Sequence, residues 1–434
     1  MDKFSFEKIK QISEDTNIDI HKLLGNYYLK ANDFANSMKN FAIYLMTYPN
    51  DAVVLGIVGF LYSSFYAQTM DNSYLEKAII YTENAHSIDK NNNQITSNLA
   101  TMYNDSGMTD KAFELLPEII KNEPNDKNYY AYATVNLKKG NFAEYYKYAD
   151  CRLRLKVANH FYPIFNKPQW RGEDISNSIL LVHWEAGFGD TIMYSRYLRG
   201  LSKRAKKVVF VVQKELEELY RYNDFDCEIC SDISQVGDFD YHVPLGSLMQ
   251  IAGVSVGNLI YTDKYLNIDT EIIEKIKNLY FKGDKYRVAI KYCGDKSGPV
   301  NRNISHAMME QLVKELKKLD NVEIYSFQFD DDIDGVINLK DMTSNFWETA
   351  AIIENMDLVV SSDNVILHLA GALGKKTFGM FNFASENRWF DLTGDDTKWY
   401  KSVKPYVTPK LNDWGSVITL VQQDVQGLKL KSNQ

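Results

Sequence analysis

Two short stretches of this chain hold residue types at spacings that could do chemistry. The first is Glu185-Ala186-Gly187-Phe188-Gly189-Asp190, which directly follows the apolar run ILLVHW at 179–184. A nearly continuous apolar run with β-branched residues predicts a buried strand. Gly187 and Gly189 let the backbone turn tightly and leave room for a ligand to come close. Residues 191–201 then predict a helix. Asp190 would stand in its first turn, at the carboxyl end of a parallel strand, where open α/β sheets place their ligands. A carboxylate there can take the proton of an incoming hydroxyl that lies within hydrogen-bond reach. The plainer reading is that Asp190 only caps its helix.

The second stretch is DLVVSSDNVILHLAGALG, residues 357–374. Residues 358–360 read as a short buried strand. Ser361, Ser362, Asp363 and Asn364 are all helix N-cap types. A helix over 365–373 follows, apolar almost all round. Gly374 suits its C-terminal turn, and Lys375 and Lys376 complement the negative helix end. A strand aimed at a helix N-terminus builds an anion site from free backbone N–H groups and the helix dipole. The diphosphate of a nucleotide sugar fits such a point. Ser362, Asp363, Asn364 and Val365 are the candidate donor-binding residues, with His368 one turn further on. A buried, satisfied histidine is the plainer account of His368.

Arg302 is the third candidate. It lies in the polar loop CGDKSGPVNRN, with Gly294, Lys296, Gly298 and Pro299, after the predicted strand RVAIKY at 287–292. A guanidinium there can neutralise a diphosphate bidentately. A transferase working without a metal needs a cation against the charge on its leaving group. A surface salt bridge is the plainer reading, and Lys291 and Lys296 are lesser candidates. Nothing calls for a metal. Cys227 and Cys230 form a CxxC with His242 downstream, but no further histidine or cysteine follows at ligand spacing. Asp330-Asp331-Asp332 falls off the predicted cleft and reads as a solvated loop.

These residues need elements to position them. The chain has 434 residues, 45% hydrophobic and 24% charged, enough for two or three ordinary globular domains. A net charge of −8 argues against nucleic acid as the main partner. The N-terminus MDKFSFEKIKQIS has no apolar leader, and no run reads as long enough for a membrane span. The expectation is a cytoplasmic protein with no integral membrane segment. Residues 1–155 read as helical hairpins with weak self-similarity at a period of about 34 residues, the tetratricopeptide length. Gly25, Tyr28, Ser37, Phe41, Tyr44 and Pro49 take that repeat's small, aromatic and terminal positions. Gly59 and Tyr62 restart it, an insertion near 68–74 interrupts it, and Ala78 and Ala85 resume it. Leu99, Tyr103, Ala112, Leu116 and Pro124 make a further copy, and Leu137, Gly140, Phe142 and Tyr145 a poorer one. Such hairpins bury their apolar faces only against neighbours, so they stack into a short solenoid. It would serve as a partner-binding groove or as a scaffold. Alternating βα patterns then predict two parallel α/β domains, 165–275 and 280–434.

At this point the sequence resembles a known family. PQWRGEDISNSILLVHWEAGFGDTIMYSRYL resembles the entry to the catalytic region of bacterial tetratricopeptide-repeat glycosyltransferases. DLVVSSDNVILHLAGALGKKTFGMF, with NRWF and WY after it, resembles their donor-binding segment. That family is similar to O-linked N-acetylglucosamine transferases and to lipopolysaccharide heptosyltransferases. The resemblance implies an α plus α/β chain, with tetratricopeptide-like repeats followed by the two Rossmann-like domains of the GT-B fold. It implies an inverting, metal-independent hexosyl- or N-acetylhexosaminyl-transferase that uses a nucleoside-diphosphate sugar, UDP-sugar favoured, and no other cofactor. The acceptor would be a hydroxyl on a protein or glycan brought by the repeats. Asp190 looks like the family's catalytic base. Arg302, in RNIS, stands where a basic residue meets the diphosphate. Asp363, Asn364 and Val365 stand at the donor-binding helix start. The chain departs from the pattern at Ala186, in the loop after RVAIKY, at Glu386-Asn387-Arg388-Trp389, and in lacking a cysteine-rich iron-binding element. The alternatives are a catalytically inactive binding subunit or co-chaperone, and a glycan- or lipopolysaccharide-modifying transferase.

Overall fold

The computed structural model describes residues 3–155, 163–223, 225–260, 262–294 and 302–428. The chain divides into two compact units, Met1–Val135 and Asn136–Gln434, and the division falls inside the helix Asp126–Lys138.

The first unit is all helix. Ile20–Lys30 packs against Phe34–Thr47, Ala52–Thr69 against Asn72–Ile88, and Asn93–Asp105 against Thr109–Asn122. Asp19, Asp33, Asp51, Asp71 and Asn92 cap five of these helices, each side chain accepting an amide of the first turn. Each such cap contributes about 1 kcal/mol. The small-residue positions read from the sequence are where helices cross. A Cβ at Gly25 would lie 2.6 Å from the Phe41 ring, and Ser37 donates to the Gly25 carbonyl at 2.9 Å. Gly59 meets Thr82 and Ala78 in the same way. The insertion near 68–74 is absorbed by lengthening both helices of one hairpin, to 18 and 17 residues. The longer of them corrects one expectation. Ala52–Thr69 is, by length and composition, apolar enough to cross a membrane. In this fold Val54, Val58 and Leu61 of that helix are core residues packed with Phe41 and Tyr44.

The second unit holds two sheets. The first joins β1 (Ile175–His183), β2 (Ala205–Val211), β3 (Glu228–Cys230) and β4 (Tyr241–Pro244) in the order β3-β2-β1-β4. The second joins β5 (Tyr286–Lys291), β6 (Val322–Ser326), β7 (Ile337–Asn338), β8 (Leu358–Ser362), β9 (Thr377–Phe381) and β10 (Val403–Val407) in the order β10-β9-β8-β5-β6-β7. Every pairing is parallel. All five residues of β8 and of β9 are buried, as central strands covered on both faces require. The expected fold, helical repeats followed by two parallel α/β sheets, is what the chain forms.

Boundaries differ in instructive ways. β1 begins at Ile175, four residues before the apolar run, with an irregular register between Ile175 and Ile179. The helix after the glycine turn is Phe188–Ser195 and stops short of 201. Tighter turns at Arg196–Leu198 and Leu201–Lys203 follow, with Gly200 between them at φ +84°. Residues 136–155, expected with the repeats, belong to the second unit. Phe142 packs edge-on against Phe390, and Tyr146 donates its hydroxyl to the carbonyl of Val254 at 2.8 Å.

A fully buried arginine ties the two sheets together. Arg196 donates to the carbonyls of Met193 and Trp399, each at 2.7 Å. Its guanidinium lies over the Tyr265 and Tyr400 rings at 4.6 and 4.7 Å. Two backbone carbonyls and two aromatic faces satisfy a charge that burial alone would penalise.

Candidate functional site

The carboxyl ends of β1, β5, β8 and β9 supply the candidate residues. The turn after β1 is pinned from several sides. Arg152 grips Glu185 with Nε to Oε2 at 2.9 Å and Nη2 to Oε1 at 3.0 Å, and the Gly246 amide donates to Oε1 at 2.7 Å. Gln213 donates to the Ala186 carbonyl at 3.0 Å and accepts from the Thr191 hydroxyl at 2.9 Å. Gly187 takes the N-cap position, so Asp190 is the third helical residue and is not the cap. Its carboxylate reaches across to the other sheet, where its Oδ1 pairs with Nη1 of Arg388. Asp190 keeps 26% of its side-chain surface exposed.

The helix after β8 is Val365–Ala372, with Asn364 as its N-cap. The Asn364 carboxamide is spent within the motif. Its oxygen accepts from the Ile366 amide at 2.9 Å, and its nitrogen donates to the Ser361 hydroxyl and the Ser362 carbonyl, both at 3.0 Å. Ser361 and Ser362 are not caps at all: they are the buried last residues of β8. The polar cluster read as ligand-facing is thus partly internal structure, and one of its amides is already taken. Val365 is the first helical residue. The helix ends as expected, with Gly374 at φ +69°, its amide on the Gly371 carbonyl and the Lys375 amide on that of Ala370.

Asp363, between strand and helix, is buried. The Trp389 indole N–H donates to its Oδ2 at 2.8 Å. Its Oδ1 has no hydrogen-bond partner among the described residues and lies 3.6 Å from Nε2 of His368. Burial pushes this carboxyl up, but His368, Arg388 and Arg302 outweigh it and hold it well below the usual carboxylate range. His368 is buried with its Nδ1 2.9 Å from the Tyr400 hydroxyl, and its ring stacks on Trp389. Burial lowers its pKa against the pull of Asp363. The glycine turn and this helix touch. A Cβ at Gly189 would come within 2.8 Å of Cδ2 of His368, so an imidazole fills the space read as room for a ligand. Above Gly187 stands the Asp190 carboxylate, 3.4 Å from the place of a Cβ.

Sequence reasoning missed the residues around Arg388. Its Nη2 is 3.5 Å from Oε2 of Glu386, and its buried Nε has no partner among the described residues. Burial works against the charge, but Asp190, Glu386 and Asp363 keep the guanidinium firmly protonated. Burial raises the Glu386 carboxyl, with Arg388 opposing. Lys138 donates to the Ser385 and Trp389 carbonyls at 3.0 and 3.2 Å and also to the Ser385 hydroxyl. Burial pulls its amine down to about 8, although Asp363 and Glu386 draw it up. Arg302 belongs to the same cluster through its charge on Asp363 and Glu386. Its buried Nε has no partner among the described residues, and it stands 3.1 Å from the place of a Cβ on Gly294. Lys291, at the end of β5, has a pKa lowered by burial. Lys296, Gly298 and Pro299 lie outside the described residues.

The acidic loop is not simply solvated. Asp331 accepts from the Tyr292 hydroxyl at 2.6 Å and from His306, and Asp332 accepts from Asn338 at 2.7 Å. Cys227 and Cys230 form no disulfide bond among the described residues. The cluster as built sets one part-exposed carboxylate from the first sheet against the Arg388 guanidinium of the second, with Arg302 acting on Asp363 and Glu386 beside it. A buried Asp–His–Trp core lies behind them. This arrangement can accept a proton on one side and bind an anion on the other.

No family model matches the chain. Protein FlbA of Caulobacter vibrioides (strain ATCC 19089 / CIP 103742 / CB 15) is 21% identical over 327 residues, covering 66% of this chain and 52% of FlbA. The chain therefore spans about half the length of the curated relative it matches. Among solved structures, the ADP-heptose lipopolysaccharide heptosyltransferase II of E. coli aligns with a TM-score of 0.43 at 12% identity, over 57% of this chain and 98% of that one. A glycosyl transferase family 9 protein from Veillonella parvula DSM 2008 aligns at 0.42 and 9% identity, over 59% and 97%. A thermophilic TPR protein of Thermus thermophilus aligns at 0.29 and 19% identity, over 34% and 86%. In its own architecture, the chain is an array of tetratricopeptide-like hairpins followed by two parallel α/β sheets that meet at Asp190 and Arg388.

Proposed function

We propose that the chain is an inverting glycosyltransferase that moves a sugar from a nucleoside-diphosphate sugar, UDP-sugar favoured, to an acceptor hydroxyl without a metal ion. One observation carries this reading. Asp190, in the turn after β1, pairs with Arg388 of the second sheet, and the same turn packs at Gly189 against His368 of the helix Val365–Ala372. In the proposed step the acceptor O–H gives its proton to Asp190. The acceptor oxygen bonds to the anomeric carbon on the face opposite the leaving group. The bond from that carbon to the diphosphate oxygen breaks, and its electron pair leaves with the nucleoside diphosphate. Arg302 and the Val365 amide face the charge that develops there. The spare Oδ1 of Asp363 is an acceptor for a sugar hydroxyl, with His368 and Ser362 behind it as donor-side packing. The helical repeats would bring the acceptor, a protein or a glycan, to this site in the cytoplasm.

A second reading has its own support. The guanidinium of Arg388 occupies Oδ1 of Asp190, an oxygen that a base would offer to the incoming hydroxyl. That favours a binding subunit which kept the fold and lost turnover. A thermal-shift screen against UDP-, GDP-, ADP- and CMP-sugars tests both, since a ligand that binds only the folded state raises the melting temperature by mass action. A shift accompanied by sugar transfer supports the enzyme. A shift with no transfer to any hydroxyl acceptor, protein or glycan, supports the binding subunit. No shift with any donor removes both.

A further inference from the structure

We infer that Arg388 is a mobile guanidinium that leaves Asp190 for the donor's diphosphate, so that the base is freed only when the donor is seated. The inference deepens the glycosyltransferase reading and rests on it. The geometry around Arg388 is uneven. Its backbone is fixed: the Trp399 indole N–H donates to the Arg388 carbonyl at 2.7 Å, and Lys138 holds the carbonyls of Ser385 and Trp389. The next residue, Trp389, is anchored on Asp363. The Arg388 side chain is less completely satisfied. Nη1 pairs with Asp190, Nη2 is only within 3.5 Å of Glu386, and the buried Nε has no partner among the described residues. A buried N–H without an acceptor costs free energy that a new acceptor would recover. The neighbouring Arg302 also carries a buried Nε with no partner among the described residues. Two guanidiniums with unspent donors, both acting on Asp363, are matched to an acceptor with several charged oxygens.

A diphosphate offers more charge and more acceptor atoms than the single carboxylate that now holds Arg388. With the Arg388 backbone fixed, moving the charge takes a side-chain rotation and no loop movement. Once Arg388 turns away, Oδ1 of Asp190 is open to an acceptor hydroxyl, as transfer requires. Without a donor, Oδ1 of Asp190 stays paired with Arg388. The pair thus couples donor binding to access to the base.

The test is a binding cycle that needs no turnover. Calorimetry on the full chain with UDP, GDP and ADP compares wild type, Asp190→Asn, Arg388→Gln and the double variant, using the tightest of the three nucleotides. Asp190→Asn removes the competitor for Arg388, so it should bind about fivefold tighter than wild type, in the range of ordinary coupling between sites. Arg388→Gln should bind about tenfold weaker, and adding Asp190→Asn to it should change nothing further. Arg388→Lys keeps the charge without the guanidinium fork and checks that any loss in the glutamine variant is not misfolding; it should recover part of the affinity. Wild-type binding with an unchanged or weaker Asp190→Asn variant, or additive effects in the double variant, would overturn the inference alone. Wild type that binds none of the three at about 1 mM would remove the glycosyltransferase reading and this inference together.

Discussion

A side chain on Gly189 would run into the imidazole of His368, 2.8 Å from the place of its Cβ. The glycine turn of the first sheet and the donor-side helix of the second are therefore in van der Waals contact, with no room for one methyl group between them. Gly189→Ala should force the sheets apart there, costing about 1–3 kcal/mol as overpacking does. It should also lower transfer, because Asp190 rides on the same turn. Gly237→Ala is the control, since a Cβ there meets none of the described residues within 4 Å. Urea melts and turnover measured on both variants separate a contact effect from a general intolerance of alanine.

In the proposed step Arg302 faces the leaving diphosphate. Arg302→Ala should weaken nucleoside-diphosphate binding by about 1.5–3 kcal/mol, the range for a hydrogen bond to a charged group. Calorimetry with UDP reads this directly. Unchanged affinity would take Arg302 out of the site.

Trp389 gives Asp363 a hydrogen bond at 2.8 Å, and the other oxygen of that buried carboxylate has none among the described residues. Trp389→Phe keeps most of the packing against His368 and Phe381 while deleting the donor. The carboxylate would then be buried with its charge but no hydrogen bond, at a cost of about 1.5–3 kcal/mol. Asp363→Asn in the same background removes the charge that needed the donor, so it should restore part of the loss. A denaturant series on wild type, Trp389→Phe, Asp363→Asn and the double variant checks the coupling.

Stability should fall in mild acid. Burial, the largest cause, holds His183 at about 4, below its unfolded value near 6.5. The Trp184 carbonyl and Glu185 oppose burial, while His242 and Arg152 reinforce it. As pH falls through the unfolded value, the unfolded chain takes up the proton first, so stability is lost between about pH 6.5 and pH 4. The loss from this one group is roughly 3 kcal/mol. His242, also lowered by burial, adds in the same direction. Urea melts of wild type and His183→Gln across this range should show a shallower pH slope in the variant. Equal slopes would mean that other groups set the acid limit.

Some of this was legible in the sequence because its signals are local. A continuous apolar run followed by a glycine turn located β1 and put Asp190 at its end. The SSDN stretch located β8 and the following helix, and Gly374 marked its stop. The small residues Gly25 and Gly59 located helix crossings because glycine leaves so specific a gap. What was not legible is what depends on distant contacts. Arg388 meets Asp190 across 198 residues and Lys138 meets Ser385 across 247, and no spacing rule links them. Resemblance drew attention to Glu386-Asn387-Arg388-Trp389 as a departure and gave these residues no role. Asn364 is the N-cap that its residue type suggested. A cap residue and a ligand-binding residue have the same chemistry, and only the atoms show that its carboxamide is already occupied by Ile366 and Ser361. The apolar helix Ala52–Thr69 shows that composition alone does not separate a solenoid core helix from a membrane span.

In the proposed mechanism Asp190 takes the acceptor's proton. Asp190→Asn preserves the shape of the side chain and removes its basicity. With the donor identified by thermal shift, sugar transfer by wild type and Asp190→Asn is the deciding measurement. The variant should still bind the nucleoside diphosphate, within about tenfold of wild type, and lose transfer by at least about a hundredfold. Transfer at the wild-type rate in a variant that binds donor normally would contradict that mechanism.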